Sequence, residues 1–206
     1  WIEKHSSFGR QIPQIGYAQL SEILYEQGRY NDSEKLASET VRIFRSECSL
    51  PTNIHRLKAE SVYGKSLVAL EKWQEADVHY ERLKSDLSSD GHLFGRLFYT
   101  DPNYGLTLLQ AGRSKRALKL LLSAYEGLKN RLGEIHYKTA ETKGFLAIAY
   151  AKEGQTQKAN SAFNNAVSIL LRQQDGSDSE ADSVDARDHR LNLILESYMD
   201  FLSAPN

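Results

Sequence analysis

Leu24-Tyr25-Glu26-Gln27-Gly28-Arg29-Tyr30-Asn31-Asp32-Ser33-Glu34-Lys35-Leu36 reads as the end of one helix, a tight glycine turn and the start of a second helix. The same design recurs three more times. Its copies are Leu67-Val68-Ala69-Leu70-Glu71-Lys72-Trp73-Gln74-Glu75-Ala76, Leu108-Leu109-Gln110-Ala111-Gly112-Arg113-Ser114-Lys115-Arg116-Ala117 and Tyr150-Ala151-Lys152-Glu153-Gly154-Gln155-Thr156-Gln157-Lys158-Ala159. The turn residues Gly28, Glu71, Gly112 and Gly154 are spaced 43, 41 and 42 residues apart. A fixed spacing of this kind marks a solenoid of stacked helical hairpins. The expected fold class is therefore all-α, a right-handed superhelix of stacked antiparallel helix hairpins.

Each copy places the same residue types at the same offsets from its turn. Four before it stand Leu24, Leu67, Leu108 and Tyr150; eight before it stand Leu20, Tyr63, Tyr104 and Leu146. A spacing of four puts both sets on one helix face, which is expected to be core. Seven before the turn are the small residues Ser21, Gly64, Gly105 and Ala147, and five after it Ser33, Ala76, Ala117 and Ala159. Small residues let the two helices of a hairpin approach closely. Nine after the turn come Ala37, Tyr80, Leu121 and Phe163, expected to fill the space between hairpins. A mid-helix glycine costs about 1 kcal/mol relative to alanine, so Gly64 and Gly105 imply crossings with no room for a Cβ.

The pattern resembles the tetratricopeptide repeat (TPR) in its longer form of about 42 residues, as found in kinesin-light-chain-like proteins. The resemblance covers residues 14–173. Two copies depart from it: Glu71 replaces the usual turn glycine, and Asp101-Pro102 falls inside the first helix of the third hairpin.

Charged residues make up 26% of the 206-residue chain and balance to a net charge of −1, which argues against nucleic-acid binding driven by bulk charge. No apolar run approaches the roughly 18–20 residues of a membrane span, and no secretory signal is visible. A cytoplasmic location is expected. The chain begins at Trp1 and its only methionine is Met199, so it is expected to be a piece of a longer protein. The single cysteine, Cys48, excludes an internal disulfide framework and reads as an incidental thiol rather than a nucleophile. The six histidines show no metal-binding spacing, and His79 and His136 read as surface or groove residues. No metal or cofactor is expected.

Taken in order, residues 1–13 form the tail of a preceding element, with Trp1 and Phe8 available to cap the first hairpin. Four hairpins occupy residues 14–173. Asn53 and Asp101 are candidate N-caps. Residues 92–99 suit a short extra helix or a packed loop. Leu118, Leu121, Leu122, Tyr125 and Leu128 have the period of a buried stripe. Residues 174–185 are acidic and aperiodic, and are expected to form a flexible linker. Asp178, Glu180 and Asp182 suggest a calcium loop, but Ser183 and His189 stand where that loop needs glycine and glutamate. Residues 186–203 read as an amphipathic capping helix, or as the first helix of a fifth hairpin, with Leu191, Ile194, Leu195, Tyr198 and Leu202 on one face.

In TPR proteins the first helices of the hairpins line a concave groove that binds a peptide. Carried over by offset, the resemblance implies a groove of Ile15, Ala18, Glu22 and Tyr25 from repeat one, and Lys58, Ser61, Lys65 and Val68 from repeat two. Repeat three offers Asn103, Leu106 and Leu109; repeat four offers Glu141, Phe145, Ile148 and Lys152. The alternative is that these are ordinary solvated helix faces. Ala18 and Glu22 stand where co-chaperone TPR proteins carry a carboxylate clamp, so a clamp is not expected.

From Asp101 onward, the order of repeats, acidic linker and final helix is also similar to the repeat region preceding the caspase-like peptidase domain of bacterial CHAT-domain proteins. That resemblance implies a regulatory arm, with the catalytic dyad elsewhere. The expected function is a protein–protein interaction module whose partner is a protein or peptide, including another domain of the same chain, and not a nucleic acid or a membrane. The competing class is a stand-alone helical-repeat enzyme or phosphatase-like regulator. It would need convergent carboxylates, amides or metal ligands on one wall, and no such constellation emerges here.

Overall fold

A computed structural model describes residues 12–98, 101–174 and 184–204. The described residues are helical apart from turns and short loops, and no strand occurs among them. The chain divides into two compact units, Trp1–Leu93 and Phe94–Asn206. The first holds α1 (Ile12–Glu26), α2 (Tyr30–Ser46), α3 (Ile54–Ala69) and α4 (Trp73–Asp86). A one-turn 3-10 helix follows at Ser88–Asp90, and then α5 (Gly91–Phe98), the short extra helix. The second unit continues with α6 (Pro102–Gln110), α7 (Ser114–Leu132), α8 (Tyr137–Lys152), α9 (Thr156–Gln174) and α10 (Val184–Ser203). The acidic stretch 175–183 and the tail with Trp1 and Phe8 lie outside the described residues. Val184 and Asp185, assigned above to the linker, are already helical.

All four hairpin turns have one geometry. Gly28, Glu71, Gly112 and Gly154 adopt φ of 74°, 55°, 73° and 69°. At each turn the next residue's N–H donates to the carbonyl five back: Arg29 to Leu24, Lys72 to Leu67, Arg113 to Leu108 and Gln155 to Tyr150, at 2.8–2.9 Å. The turn residue's own N–H donates three back, as from Gly28 to Tyr25 at 3.0 Å. This double closure satisfies helix-end carbonyls and requires a left-handed residue, which is why glycine marks the period. Glu71 takes that conformation despite its Cβ. The start signals are equally local. Asn53 Oδ1 accepts from His55 and Arg56 N–H at 2.9 and 3.2 Å, and Asp101 Oδ1 accepts from Asn103 N–H at 2.9 Å just ahead of Pro102.

The packing offsets carry the core. The small positions before and after each turn are buried, and so are Ala37, Tyr80, Leu121 and Phe163. These four sit nine residues after their turns, and two of them lie inside their own hairpins rather than between hairpins. A Cβ on Gly64 would lie 2.8 Å from the Tyr80 hydroxyl, and one on Gly105 would lie 2.5 Å from Leu121 Cδ2. Small and large side chains thus face each other across each of these antiparallel pairs. On α7 the buried stripe is Ala117, Leu120, Leu121, Ala124, Tyr125 and Leu128; Leu122, expected inside, is exposed. Leu20, also expected in the core, is 46% exposed, because no helix precedes α1 among the described residues to cover it. Its counterpart Tyr104 is fully buried and meets the Phe94 ring of α5 edge-on at 5.7 Å.

Unit 1 is further tied by an ion cage. Arg45 Nη2 of α2 lies 2.8 Å from Glu60 Oε1 of α3 and 3.0 Å from Asp86 Oδ2 of α4. Arg56 contacts the same two carboxylates at 3.2 and 2.8 Å and donates to the Ser49 carbonyl at 2.9 Å. Two cations match two anions, and Glu60 is fully buried. Breaking such a set from one side would leave an uncompensated buried charge, at roughly 3–5 kcal/mol. His79, read above as a surface or groove residue, is buried beside this cage. Its Nε2 lies 2.9 Å from the Glu60 carbonyl, and its ring packs edge-on against Tyr63 and Tyr80.

Candidate protein-binding surface

In unit 1 the exposed edges of α1 and α3 bring the charged candidates together. Lys58 Nζ lies 2.6 Å from Glu22 Oε2, and Lys65 Nζ lies 3.7 Å from Glu22 Oε1. Lys65 also sits over the Tyr25 ring, 4.7 Å from its centroid. Burial pushes the Glu22 carboxyl up, but the hydrogen bond from Lys58 and the charges of Lys65 and Lys58 outweigh it and hold the group below its usual range. The result is a mixed-charge ridge, one carboxylate between two ammoniums, with Lys58 the most exposed member at 41%. Ile15 and Ser61, the remaining candidates of this unit, are half-buried. The two lysines are therefore paired, not free groove cations.

Three other unit 1 candidates are not on an open surface. Ala18 is buried in a cluster with Val41, Phe44 and Ala59, so its offset faces the next hairpin. Tyr25 and Val68 are buried as well, and Tyr25 cannot serve as an open socket for an apolar anchor.

In unit 2 the same offsets are mostly covered. Leu106, Leu109, Phe145 and Ile148 are buried, and only Asn103 and Lys152 keep appreciable exposure. The cause is the crowding of α8, which touches α6, α7, α9 and α10. Glu141, expected in the groove, is buried because Arg190 Nε of α10 donates to its Oε1 at 2.6 Å. Ile194 of the same helix fills the space a Cβ on Gly144 would take, 2.6 Å from its Cδ1. Tyr198 stacks on Phe163 of α9 at 4.8 Å, and its hydroxyl lies 2.7 Å from Asn164 Oδ1. The amphipathic period showed that α10 has an apolar face. Gly144 and Glu141 as its receptors were missed, although a mid-helix glycine outside the repeat offsets was the available signal.

A second surface lies on α7, where Arg116, Lys119, Leu120 and Ser123 line a hollow. Arg116 is engaged there by the Tyr104 hydroxyl and ring. Among the described residues no cluster of His, Cys, Asp or Glu could hold a metal ion, and no helix is long and apolar enough to cross a membrane. Cys48 is exposed at the end of α2, with φ of 53°.

No protein-family model matches the chain, and no curated protein matches it. Solved structures do. One is a Podosopora anserina protein assigned as a kinesin light chain and built of nearly identical TPR-like repeats; another is a variant form of that protein. Each is 19% identical to this chain with a TM-score of 0.55, and the match covers 93% of this chain and 87% or 88% of the other. The fold is TPR-like. At that identity the likeness is one of architecture, and it agrees with the all-α hairpin repeats seen in each unit.

Proposed function

We propose that this TPR-like chain is a protein–protein interaction module that binds a polypeptide through the Glu22–Lys58–Lys65 ridge of its first unit. The observation that carries the reading is the contrast between packing and ridge positions. Small and large residues recur at the packing offsets, whereas the ridge sets an acid between two bases and leaves them half in solvent. Packing alone does not demand that arrangement; recognition of a segment carrying both charges would use it. The ligand is a peptide or protein segment whose acidic group competes with Glu22 for the lysines and whose basic group pairs with the carboxylate so released. The repeats belong to the longer, 42-residue kinesin-light-chain-like form in this reading. The similarity to the region preceding CHAT peptidase domains makes the module the regulatory arm of a bacterial, cytoplasmic protein whose catalytic residues lie outside these 206.

The test is a binding series on one captured partner. Lys58→Glu should weaken the complex in calorimetry, because it reverses the most exposed charge of the ridge. Arg116→Glu with Lys119→Glu should leave it unchanged. The opposite pattern would move the site to α7 and discard the ridge.

A further inference from the structure

We propose that Tyr125, Lys129 and Lys143 form a carboxylate-binding cradle in the second unit, occupied by the chain's own Glu134 until an acidic residue of a partner polypeptide displaces it. Three donors from two helices converge on one carboxylate. The Tyr125 hydroxyl donates to Glu134 Oε1 at 3.1 Å, and Lys143 Nζ lies 3.0 Å from the same oxygen. Lys129 Nζ lies 3.6 Å from Oε2. The donors stand on helices, Tyr125 and Lys129 one turn apart on α7 and Lys143 on α8. The acceptor does not. Glu134 sits on the turn that follows Gly133, and residues 131–135 are all exposed.

The donor set calls for an anion. Both ammoniums lie over the Tyr125 ring, Lys143 Nζ 5.3 Å and Lys129 Nζ 5.8 Å from its centroid. Two cations beside one ring repel each other, and a negative charge between them offsets that repulsion. Hydrogen bonds from Lys143 and Tyr125, with the charges of both lysines, hold the Glu134 carboxyl below its usual range. The Tyr125 phenol is pushed up to about 12 by burial, by its bond to Glu134 and by the charges of Glu134 and Glu126, so it stays a donor. Lys143 is 16% exposed and Tyr125 is buried, whereas Glu134 is 44% exposed. The receiving side is thus fixed, and the bound group is the one that can leave without disturbing the core. Exposed ion pairs add little to stability, so the resident carboxylate is exchangeable.

The same residue types recur in unit 1, where Glu22 lies against Lys58 and Lys65 and Lys65 covers the Tyr25 ring. There the carboxylate belongs to a helix; in unit 2 it belongs to a turn, from which it is more easily withdrawn. The surroundings narrow the ligand further. Leu132 and Ile135 are 37% and 73% exposed on either side of Glu134. An acidic side chain with apolar neighbours therefore fits, its carboxylate between the lysines and its neighbours on Leu132 and Ile135. The cradle lies at the loop between two hairpins, outside the groove offsets, and it shares no residue with the ridge.

Titrating the full chain with hexaglutamate, followed by NMR at the lysine Nζ groups and the tyrosine rings, tests the cradle. Lys129, Lys143 and Tyr125 should respond. Glu134→Gln removes a tethered competitor whose effective concentration is about millimolar or more, and should tighten that response at least about tenfold. Glu126→Gln removes an equal charge one residue from Tyr125 and should not tighten it. Glu134→Gln with Lys143→Gln should lose the gain. Lys58→Glu, which disables the ridge, should leave the response unchanged, so that failure of the ridge and failure of the cradle are seen apart. A Glu134→Gln chain that binds no tighter than wild type overturns the proposal; if it also melts lower, Glu134 is an anchor of its turn and nothing more. Equal gains from Glu134→Gln and Glu126→Gln overturn it too, because they assign the effect to net charge.

Discussion

Tyr80 lies on Gly64. A Cβ on that glycine would sit 2.8 Å from the tyrosine hydroxyl and 2.9 Å from Cζ, and Tyr80 has no exposed surface through which to retreat. Helix propensity favours Gly64→Ala by about 1 kcal/mol, and overpacking opposes it by roughly 1–3 kcal/mol. Overpacking wins, because the obstructed group is a rigid, buried ring. We expect Gly64→Ala, and more strongly Gly64→Leu, to lower the denaturant midpoint. Gly127→Ala, with open space over it, should raise the midpoint instead. Equal responses from Gly64 and Gly127 would refute the close crossing.

Glu71 offers a test of the turn. It holds φ of 55° where the other three turns have glycine. A left-handed residue with a Cβ costs roughly 1–2 kcal/mol. Glu71→Gly removes that strain but gives the unfolded chain more freedom, which offsets roughly half of it. The net expectation is a stabilisation of roughly 0.5–1 kcal/mol, read as a higher denaturant midpoint at unchanged slope. A loss of stability would show that interactions of the Glu71 side chain outweigh its backbone strain.

The turns were legible because their chemistry is local. A double closure of the helix end calls for a left-handed residue, glycine supplies it, and a period appears; Glu71 was found from that period rather than from its type. The small and large packing positions were legible for the same reason. The ion cage was not. Arg56 and Glu60 share a helix face at a spacing of four, but nothing in the chain announces that Arg45 and Asp86 from two other helices close on them. Which of the groove candidates keep an open face was legible only in part. Offsets carried from a regular array assume that each first helix keeps one face in solvent. On α8, packing by α10 through Arg190 and Ile194 takes that face away, and Phe145 and Ile148 become core.

His79 links stability to pH. Burial holds its imidazole below the ordinary value of 6.5, against the opposing pull of the Glu60 carboxylate and carbonyl. The folded chain therefore binds this proton less readily than the unfolded chain does. Above pH 6.5 both states are neutral at this site and it contributes no slope. As pH falls below 6.5 the unfolded state takes up the proton first, and stability declines until the folded value is reached. We expect the wild-type midpoint to fall on the acid side of pH 6.5, and that of His79→Gln, which can still donate to the Glu60 carbonyl, to fall less steeply there, keeping only the slope of carboxylates such as Glu22. Parallel curves for the two proteins would assign the acid sensitivity to other groups.

The ridge makes a prediction about stability distinct from the one about binding. Glu22 is held ionised by Lys58 and Lys65, and Lys65 also rests on the Tyr25 ring, so the lysines belong to the fold as well as to the surface. Lys58→Glu with Lys65→Glu would set three carboxylates side by side and remove the ammonium from the aromatic face. Exposed pairs contribute about 0–1 kcal/mol each, and cation–π contact adds about 0.5–1 kcal/mol at exposed sites. The double reversal should therefore lower stability by roughly 1–2 kcal/mol at low salt. Added Glu22→Lys should recover part of that loss by restoring one base among two acids. Recovery should fade at about 1 M salt, where the screening length shrinks to about 3 Å. A double variant as stable as wild type at low salt would mean that the 2.6 Å Lys58–Glu22 contact carries no stability. Loss without any recovery in the triple variant would locate the damage in the packing of Lys65 on Tyr25 instead of in the charges.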